Sequence, residues 1–443
     1  MKVPHTEEQR AYYIETYGCQ MNIAESCVLD ASFIDQGFKS AEKPEDADIV
    51  IINTCSVRKT AENRIWGRIG FYKHIKQTKD LILVITGCMA ERLGSEIIKR
   101  EPAVDLVVGT NDKTNIMHFL NEDIAASDEY QFASSYYKEG DFSSFVPIMN
   151  GCNNYCSYCI VPYVRGREVS RPVDDVLEEI DALSAKGVHE VMFLGQNVNS
   201  YAYKETGTPT TVDFPDLLKK IVRRADSIDW LRFMSAHPKD FSQELIELIA
   251  TEEKICKHVH LPLQSGSSSI LYAMNRKYDA ETYYDIVERL TALRPDITFT
   301  TDIMVGFPGE KEEDVEKTLE MMRRVGYIDA FMYYYNPREG TASTRLPDQI
   351  SDTVKLERLQ RVIDLQKELT LHHKKAAVGK TVRVLCDSIS KRNVQEFVGH
   401  TEHNERVVFP RLDSISIGDL IDIKICEVIG TTYKGELSCH GKL

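Results

Sequence analysis

The chain has 443 residues, 42% of them hydrophobic, a length that exceeds one ordinary domain and predicts two to four. The first residues hold no apolar signal segment and no apolar run reaches membrane-spanning length, so we expect neither an exported nor a membrane-spanning protein. The formal net charge of −14 argues against a nucleic-acid partner, but residues 376–443 contain nine Lys or Arg and nine Asp or Glu, so a neutral C-terminal module can still bind RNA.

Residues 11–120 alternate short apolar runs with helical patterns. The runs AYYIETY, DIVIINT, LILVIT and VDLVVG are rich in Ile and Val, as is typical of parallel strands buried on both faces. Helices are predicted over Asn22–Asp35, Glu62–Lys76 and Arg92–Lys99. This βαβα order predicts an open parallel α/β sheet. The next segment, 121–143, has no sustained pattern and is predicted to be a linker.

The same alternation continues through residues 144–335. Strands are predicted at FVPIM, VHEVMFLG, DWLRFM, KHVHLP, ITFTTDIMVG and YIDAFMYYY, and helical patterns such as Asp174–Ala185 and Ala280–Leu293 lie between them. This number of βα units predicts a full or partial (β/α) barrel, in which functional residues lie at the carboxyl ends of the strands. A polar helix over Asp352–Lys375 is predicted to close this part of the chain.

In residues 376–443 the alternation of strand and helix patterns gives way to short β patterns alone. TVRVLCDSI, QEFVGHT, ERVVFP and DLIDIKICEVI are short β patterns separated by turn signals. They predict a small β-barrel of the oligonucleotide-binding type, although a β appendage without a binding function has the same pattern. The predicted fold class is therefore α/β, with an open parallel sheet, a partial (β/α) barrel and a small C-terminal β-barrel.

Three cysteines, Cys152, Cys156 and Cys159, lie in the stretch GCNNYCSYCIVP just after the first predicted barrel strand. A structural zinc site or a complete four-iron cluster takes four protein ligands, and no companion pair of cysteines follows. Three thiolates would leave the fourth iron of a cluster open to a ligand that is not protein. An open metal position is typical of a catalytic site, so the spacing favours a catalytic cluster over three buried structural cysteines.

A second trio is formed by Cys19, Cys55 and Cys88, each of which lies at the carboxyl end of a predicted strand of the N-terminal sheet, before a helix. The carboxyl ends of parallel strands share one crevice, so we expect these distant residues to converge and to hold a second cluster. One such cysteine alone would be only a small buried hydrophobe. Eleven cysteines without a secretory signal favour thiols or metal ligands in a reducing compartment. The remaining cysteines are predicted to be structural: Cys27, Cys256, Cys386, Cys426 and Cys439.

The CxxxCxxC motif at the start of a barrel resembles the radical S-adenosylmethionine (SAM) superfamily, and the three-part layout resembles its methylthiotransferase family over nearly the whole chain. ETYGCQMN, LGQNVNSY and SAHPKDF resemble the MiaB-type branch, which modifies tRNA. The resemblance implies an N-terminal methylthiotransferase domain over 10–127, a radical SAM barrel over 138–371 and an RNA-binding TRAM domain over 374–440. It also implies two [4Fe-4S] clusters, one on each cysteine trio.

In the radical SAM superfamily the open iron binds SAM through its amino and carboxylate groups, and one electron from the cluster cleaves SAM to a 5′-deoxyadenosyl radical. The resemblance implies that aromatic and strand-end residues contact SAM, and that the glycines among them give close backbone approach or tight turns. In a purely structural role these glycines would form ordinary turns and the tyrosine would belong to the core. The implied SAM contacts are Tyr158, Gly195, Gln196, Asn197, Gln264, Gly306 and Gly309.

Other polar residues near the predicted site leave two roles open. Arg165, Arg167 and Arg171 follow the cysteine loop and suit the SAM carboxylate or an RNA phosphate, but a solvated surface cluster fits equally. His237, His258 and His260 lie at or near strand ends and are predicted to be core histidines with satisfied hydrogen bonds.

The resemblance implies a methylthiotransferase that converts N6-isopentenyladenosine at position 37 of tRNA, beside the anticodon, to its 2-methylthio derivative. One SAM would methylate sulfur on the N-terminal cluster and a second would generate the radical. The implied partners are the anticodon stem-loop of tRNA and an electron donor such as flavodoxin or ferredoxin, and the enzyme is expected to be a cytoplasmic monomer.

Other functions fit parts of the same pattern. A methylthiotransferase acting on threonylcarbamoyl-adenosine or on a ribosomal protein aspartate would share the layout. A radical SAM RNA methyltransferase would not need the second trio, and a non-catalytic iron–sulfur RNA-binding module would not need an open position inside a barrel.

Overall fold

The computed structural model describes residues 10–56, 59–120, 132, 140–205, 207 and 209–438. Most of the predicted linker and Cys439 lie outside the described residues, as do the predicted domain limits at 127, 138 and 440. In the part that the structure describes, no helix is both long enough and apolar enough to cross a membrane.

The N-terminal body is a five-stranded parallel sheet in the order β2-β1-β3-β4-β5. Helices cover both faces, because α2, α3 and α4 pack on one side of the sheet and α1 and α5 on the other. The elements are β1 Ala11–Tyr17, α1 Gln20–Asp35, β2 Lys39–Ser40, β3 Ile49–Thr54, α2 Lys59–Ile75, β4 Ile82–Gly87, α3 Cys88–Leu93, α4 Glu96–Arg100, β5 Leu106–Val108 and α5 Ile116–Leu120.

One helix prediction in this body is wrong. The helix expected over Arg92–Lys99 is divided between α3 and α4, because Gly94 interrupts it with φ +50°. Glycine adopts this left-handed conformation without the steric cost that a side chain would add. The first of the two helices, α3, begins directly at Cys88, at the end of β4.

The central body is an incomplete barrel of six parallel strands, built as the sheets β12-β9-β6 and β13-β14-β15. A parallel bridge between Leu231 and Ile255 joins the two sheets. The elements are β6 Ser143–Pro147, β7 Met149–Asn150, α6 Val161–Arg165, β8 Val169–Ser170, α7 Val173–Ala185, β9 Glu190–Leu194, β10 Ala202–Lys204, β11 Thr211–Asp213, α8 Phe214–Val222, β12 Trp230–Phe233, α9 Gln243–Thr251, β13 His258–His260, α10 Ser268–Ala273, α11 Ala280–Leu293, β14 Thr298–Val305, α12 Glu312–Val325, β15 Asp329–Tyr334 and α13 Asp352–Ala377.

All six barrel strands run in the same direction, so their carboxyl ends meet at one face. β6 and β15 share no pairing among the described strands, which makes the barrel partial. The long helix α13 covers the end of the last βα unit, where Gln366 and Thr370 donate hydrogen bonds to the carbonyls of Tyr327 and Ile328, at 2.9 Å each. The predicted α/β fold with a partial barrel is confirmed.

The C-terminal body is a closed five-stranded barrel in the order β16-β17-β18-β20-β19. Four of its strands match the predicted runs, but the fifth, β20, was not predicted from its sequence TYKGEL, which is too polar to stand out. Its pairing with β18 and β19 closes the barrel. The elements are β16 Thr381–Ile389, β17 Glu396–Thr401, β18 Arg406–Pro410, β19 Leu420–Ile429 and β20 Thr432–Leu437.

The small barrel is docked on the amino-terminal ends of the (β/α) barrel strands. Arg232 of β12 donates to the carbonyls of Thr401 and Glu402, at 2.8 and 2.5 Å, and is paired with Glu190 of β9. The same Glu190 accepts a hydrogen bond from His400 at 3.0 Å. The predicted cysteine loop therefore lies at the opposite end of the barrel strands from the small barrel.

Candidate active site

Cys19, Cys55 and Cys88 leave three adjacent strands of the N-terminal sheet at one level. The last residue of β1 pairs with the last residue of β3, which pairs in turn with the last residue of β4. Cys55 and Cys88 are buried, whereas Cys19 is exposed. The strand register therefore brings the three cysteines to one edge of the sheet, as the alternation of strands and helices predicts.

A buried asparagine holds this edge together. Asn22 accepts hydrogen bonds from the backbone N–H and the thiol of Cys19, at 3.3 and 3.4 Å, and donates to Asn53 and to the carbonyl of Thr54 at 3.0 and 3.2 Å. These bonds fix the loop of Cys19 to the end of β3. In the sequence, Asn22 was noted as part of ETYGCQMN but not as a residue of the site. The local pattern that could have indicated its role is an amide three residues after a cysteine at the start of a helix.

Gly87 makes the close approach of β3 and β4 possible. Its φ is +95°, and a Cβ atom there would lie 2.3 Å from the carbonyl oxygen of Thr54. Any larger residue would push the strands apart just before Cys88. The glycine is thus required by the backbone that places Cys55 beside Cys88.

Cys152, Cys156 and Cys159 lie together in the loop between β7 and α6. The backbone N–H of Cys159 donates to the carbonyl of Cys156 at 2.9 Å. Burial, reinforced by the neighbouring thiols, raises the pKa of Cys152 to about 11 and that of Cys159 to about 12. Burial outweighs the nearby positive charge of Arg276, so Cys152 and Cys159 favour the protonated thiol, and binding of a metal would release their protons.

The donor set fits a cluster better than a single ion. In the described part of the chain, no group of three or more His, Cys, Asp or Glu side chains can hold one metal ion. The three thiols of an iron–sulfur cluster bind different irons, so they stand farther apart than ligands of one ion. Three thiols on one short loop, with the adjoining cavity described below, fit a cluster with an open position.

Arg276 contacts the loop that carries Cys152, Cys156 and Cys159, and its role was not predicted from the sequence. Its guanidinium donates to the sulfur of Cys156 at 3.4 Å, to the carbonyl of Pro262 at 3.2 Å and to the hydroxyl of Tyr278 at 3.0 Å. The side chain is 5% exposed. Its charge and hydrogen bond act on a sulfur of the loop, and hydrogen bonds of this kind tune the electronics of a cluster. A lone arginine after a short helix gave no signal in the sequence.

Cys88 of the first trio lies at the contact between the first two bodies. It packs against Ile160 and Val164, which lie one and five residues beyond Cys159. An ion-pair network lies beside this contact, in which Glu25 of α1 is paired with Lys113 and, at 2.8 Å, with Arg165 of α6.

This network is buried, and its charges depend on one another. Glu25 and Lys113 are each 7% exposed and Arg165 is 4% exposed at the side chain. Burial by itself would raise the pKa of Glu25, but the charges of Arg165 and Lys113 outweigh it and hold the pKa below its usual value. The network therefore fixes the N-terminal sheet to the loop that carries the second trio.

The arginines that follow this loop do not form a surface cluster. Arg165 is part of the buried network, and Arg171 is also buried, paired with Glu179 of α7. Only Arg167 is exposed. Two of the three arginines therefore serve as internal partners of acidic residues rather than as a solvated patch.

A cavity of about 580 Å³ opens beside the second trio and spans the first two bodies. This volume is within the usual range for a small-molecule site. Tyr158, Cys159 and Gln264 line the cavity, so three sequence-predicted residues share it. It is also lined by Asn63, Ile160, Val161, Asp302, Met304, Tyr333, Tyr334, Tyr335, Asn336 and Arg338.

The LGQN stretch is placed beside the cysteine loop rather than among the residues that line the cavity. Gln196 accepts a hydrogen bond from the backbone N–H of Gly151 at 2.5 Å. Asn197 is fully buried and donates to Asp240 at 2.8 Å, while its side-chain oxygen has no hydrogen-bond partner. A Cβ at Gly195 would lie 2.4 Å from the side chain of Met149, so this glycine also has a packing role.

The two glycines after β14 differ in how much space surrounds them. Gly306 has φ +73°, and a Cβ there would lie 2.3 Å from the side chain of Lys355, which α13 places against the turn. Gly309 has φ +80° with no atom within 4 Å of a Cβ position. Both need glycine for the turn itself, and neither lines the cavity.

The three predicted core histidines divide into two kinds. His258 and His260 lie within 3.0 Å of Thr298 and Thr300 through Nδ1. The Nδ1 of His237 accepts from the backbone of Lys239, but its buried Nε2 has no partner. Burial lowers the pKa of His237 to about 2, so the ring is neutral. The prediction of satisfied hydrogen bonds is therefore wrong for His237.

The remaining described cysteines are scattered. Cys256 is buried against Trp230 and Leu385, and Cys386 is buried in the core of the C-terminal barrel. Cys426 is exposed and Cys27 is partly buried.

Three family models match consecutive parts of the chain. Residues 11–109 match a family described as uncharacterized protein family UPF0004, residues 146–322 match the radical SAM superfamily, and residues 375–437 match the TRAM domain. The three matches coincide with the N-terminal sheet, the partial barrel and the closed C-terminal barrel.

Two solved structures share the fold. The radical S-adenosylmethionine methyltransferase TsrM from Kitasatospora setae has a TM-score of 0.53 at 16% identity, over 74% of this chain and 75% of its own. The cobalamin-dependent S-adenosylmethionine radical enzyme OxsB has a TM-score of 0.50 at 12% identity, over 82% of this chain and 56% of its own. At these identities the likeness shows the fold alone.

Relatives in sequence are much more similar. A tRNA-2-methylthio-N(6)-dimethylallyladenosine synthase of Treponema pallidum is 46% identical over 96% of this chain and 98% of its own length. The enzyme of the same name from Treponema denticola is 46% identical over 96% of this chain and all of its own. That of Bacteroides thetaiotaomicron is 42% identical over 97% and 96%. The chain therefore belongs to the tRNA-2-methylthio-N(6)-dimethylallyladenosine synthases, the methylthiotransferases of the radical SAM superfamily that the MiaB-type resemblance predicted.

Proposed function

We propose that this protein is a radical SAM tRNA methylthiotransferase that replaces the C2 hydrogen of N6-isopentenyladenosine, beside the anticodon, with a methylthio group. The observation that carries the proposal is the arrangement of two cysteine trios on two bodies, with Cys88 packed against Ile160 and Val164. A second sulfur-bearing site beside the radical site is what separates methylthiolation from simple methylation. Relatives that carry the same name over 96% of the chain support the same substrate class.

Each trio would hold one [4Fe-4S] cluster. Cys152, Cys156 and Cys159 would leave one iron for SAM, and Cys19, Cys55 and Cys88 would leave one for the sulfur that is transferred. When bound, the clusters supply the electron that cleaves SAM to a hydrogen-abstracting radical and the sulfur that becomes methylthio.

The residues of the chain would bind and orient these groups. Tyr158 and Gln264 line the cavity next to Cys159, where they would contact SAM. The side-chain oxygen of Asn197 is a buried acceptor without a partner, which suits the amino group of SAM. Gly195 and Gln196 would hold the backbone at this point, and Gly306 and Gly309 would form the turn beside the adenine.

Aromatic walls would keep water away from the reaction. Tyr333, Tyr334 and Tyr335 line the cavity on the side of β15, and exclusion of water protects a reactive intermediate from side reactions. The ion pair of Arg338 with Glu62 of the N-terminal body, at 3.4 Å, closes another wall. The substrate base would reach the cavity between the two bodies.

The C-terminal barrel would hold the tRNA. It matches the TRAM domain, and a tRNA held there would have to extend along the barrel to bring a single base into the cavity at the opposite ends of the strands. We place the three functional domains at 10–127, 138–371 and 374–440. An external one-electron donor is required, and the protein is proposed to act as a cytoplasmic monomer.

The decisive experiment is an anaerobic reaction of the reconstituted protein with SAM, a strong reductant and isopentenylated tRNA. Mass spectrometry of the digested nucleosides should detect 2-methylthio-N6-isopentenyladenosine together with 5′-deoxyadenosine. A parallel reaction with threonylcarbamoylated tRNA should give no methylthio product. Formation of a C-methylated nucleoside without sulfur would contradict the proposal.

A further inference from the structure

An exposed aromatic patch lies on the outer side of the cysteine loop. Tyr155, Tyr163 and Tyr272, together called the tyrosine patch, are 43%, 56% and 88% exposed. The rings of Tyr155 and Tyr163 meet edge to face with centroids 6.3 Å apart. Exposed aromatic side chains grouped on one surface mark interaction sites, because water-exposed rings gain free energy when a partner covers them.

The segments that carry the patch are joined to each other. Tyr272 lies on α10, and the residues just after this helix bind the cysteine loop. The carbonyl of Met274 accepts from the backbone N–H of Ser157 at 2.9 Å, and the amide of Asn275 donates to the carbonyl of Tyr155 at 2.9 Å. The loop and the end of the helix thus form one rigid surface.

Unusual backbone conformations are concentrated here. Tyr155, Asn275 and Lys277 have φ of +48°, +59° and +64°. A tyrosine or a lysine in this conformation costs about 1 kcal/mol or more, whereas asparagine adopts it more readily. Strain of this kind persists where function requires it, so its repeated use around the patch points to a role beyond packing.

Exposed positive charge lies beside the patch in an acidic protein. Arg167 and Lys277 are exposed, in a chain whose formal net charge is −14. The carboxylate nearest to them in the chain, Glu168, is half-buried and accepts hydrogen bonds from Asn153. The surface is therefore complementary to a partner with an acidic face.

The location favours a redox protein over RNA. Tyr155 is covalently adjacent to Cys156, whereas Cys159 of the same loop lines the cavity on the inner side. The proposed RNA-binding barrel lies at the other end of the (β/α) barrel strands, where its residues contact Arg232 and Glu190. A partner on the tyrosine patch would lie next to the cluster without entering the substrate cavity.

We infer that the tyrosine patch, with Arg167 and Lys277, is the docking surface of a small acidic protein that delivers one electron to the cluster of Cys152, Cys156 and Cys159. The inference rests on the proposed function, since a cluster must be present to accept the electron. The donor is oxidised by one electron and the cluster is reduced by one. No bond to the donor forms or breaks.

The test uses the full chain with Tyr163→Ala, Tyr272→Ala and Lys277→Glu combined, and reduced bacterial flavodoxin as the probe, with a bacterial ferredoxin in a parallel arm. Titration should show that the wild-type protein binds at least one carrier, with an affinity that falls as salt rises, and that the variant binds it at least tenfold more weakly. This binding measurement does not depend on enzyme activity. The concentration of carrier that gives half-maximal SAM cleavage should rise by a similar factor.

The control variant carries Lys391→Glu and Arg392→Glu on the C-terminal barrel, where both side chains are exposed. It changes charge in the same sense but should bind the carriers as wild type does. Dithionite-driven SAM cleavage and tRNA affinity should be unchanged in the tyrosine-patch variant, which also verifies its folding by an independent route.

The outcomes separate the two proposals. Carrier binding that is unchanged in the tyrosine-patch variant, or absent in a wild-type protein that cleaves SAM with dithionite, overturns the docking surface alone. Loss of tRNA affinity with carrier binding intact assigns the patch to RNA and also overturns it. A wild-type protein that cleaves no SAM with any reductant contradicts the proposed function instead.

Discussion

Both cysteine trios are suited to hold an iron–sulfur cluster, but different parts of the fold bring their cysteines together. Cys152, Cys156 and Cys159 belong to one loop, so their proximity is local and depends on a few backbone hydrogen bonds. Cys19, Cys55 and Cys88 come from three strands, so their proximity depends on the register of a whole sheet. Three cysteines on one loop need only a short stretch of chain to come close together, whereas three cysteines at a sheet edge come together only when the sheet is formed.

The largest expected difference between the trios is catalytic. Cys156→Ala should abolish both 5′-deoxyadenosine and methylthio-adenosine, because the SAM-binding cluster loses one of three ligands. Cys55→Ala should still form 5′-deoxyadenosine but no methylthio product, because only the N-terminal cluster is lost. Both products are quantified by mass spectrometry after an anaerobic reaction with modified tRNA. Methylthiolation by Cys55→Ala at the wild-type rate would refute the division of labour.

Iron content should divide equally between the trios. Two clusters bind about eight irons per chain, and replacing Cys152, Cys156 and Cys159 together by Ala should leave about half. Replacing Cys19, Cys55 and Cys88 should have the same effect on iron, with the opposite cluster retained. Metal analysis of anaerobically prepared protein gives the numbers. Zinc in place of iron, or full iron in either triple variant, would exclude two clusters.

The contact between the first two bodies, beside the trios, should depend on a buried charge. Glu25→Gln leaves Arg165 and Lys113 buried without their partner, and removal of one member of a buried ion pair costs about 3–5 kcal/mol. The exposed pair of Asp285 and Arg289, 3.0 Å apart, offers a control in which Asp285→Asn should cost less than about 0.5 kcal/mol. Denaturant unfolding of both variants measures the difference. Equal effects would place the network outside the stabilising core.

The same network sets a pH dependence. The pKa of Glu25 is lower in the folded protein than its ordinary value of 4.5, so the unfolded state binds its proton first as pH falls. The stabilisation is complete above the unfolded pKa and is lost as pH falls through the folded pKa. The free energy of unfolding should therefore decrease in acid more steeply for wild type than for Glu25→Gln. Parallel curves would contradict the assignment.

The smallest expected effect concerns Arg276, which donates to a sulfur of the barrel trio alone. Arg276→Leu removes a positive charge and a hydrogen bond beside that cluster, and both stabilise its reduced form. The reduction potential of this cluster should fall by an amount on the order of tens of millivolts, since about 59 mV corresponds to a tenfold change for one electron. Spectroscopic redox titration should show no shift for the N-terminal cluster.

The sequence by itself determined the alternation of the main strands and helices and the grouping of both cysteine trios. Most strands of the sheet and of the barrel are mainly apolar runs, and their period and length distinguish them from the helices between them. The two-residue strand β2, which is polar, was not predicted. The rule that parallel strands end at one edge was enough to group Cys19, Cys55 and Cys88. The strand β20 was not predicted because its sequence is polar. The prediction of one helix over Arg92–Lys99 was wrong because Gly94 adopts a left-handed conformation there.

Only the tertiary structure decided which polar residues serve the site. Arg276 and Glu25 lie far along the chain from the groups they contact, as does Asn22 from Asn53 and Thr54. An arginine or a carboxylate has the same local pattern on a surface as in a buried network. Burial and partner distance distinguish the two cases, and both arise from packing between separate bodies. For the same reason the structure was needed to show that Arg165 and Arg171 are internal partners of acidic residues rather than a surface cluster. It also shows that Gln264 lines the cavity and that the LGQN stretch lies beside the cysteine loop.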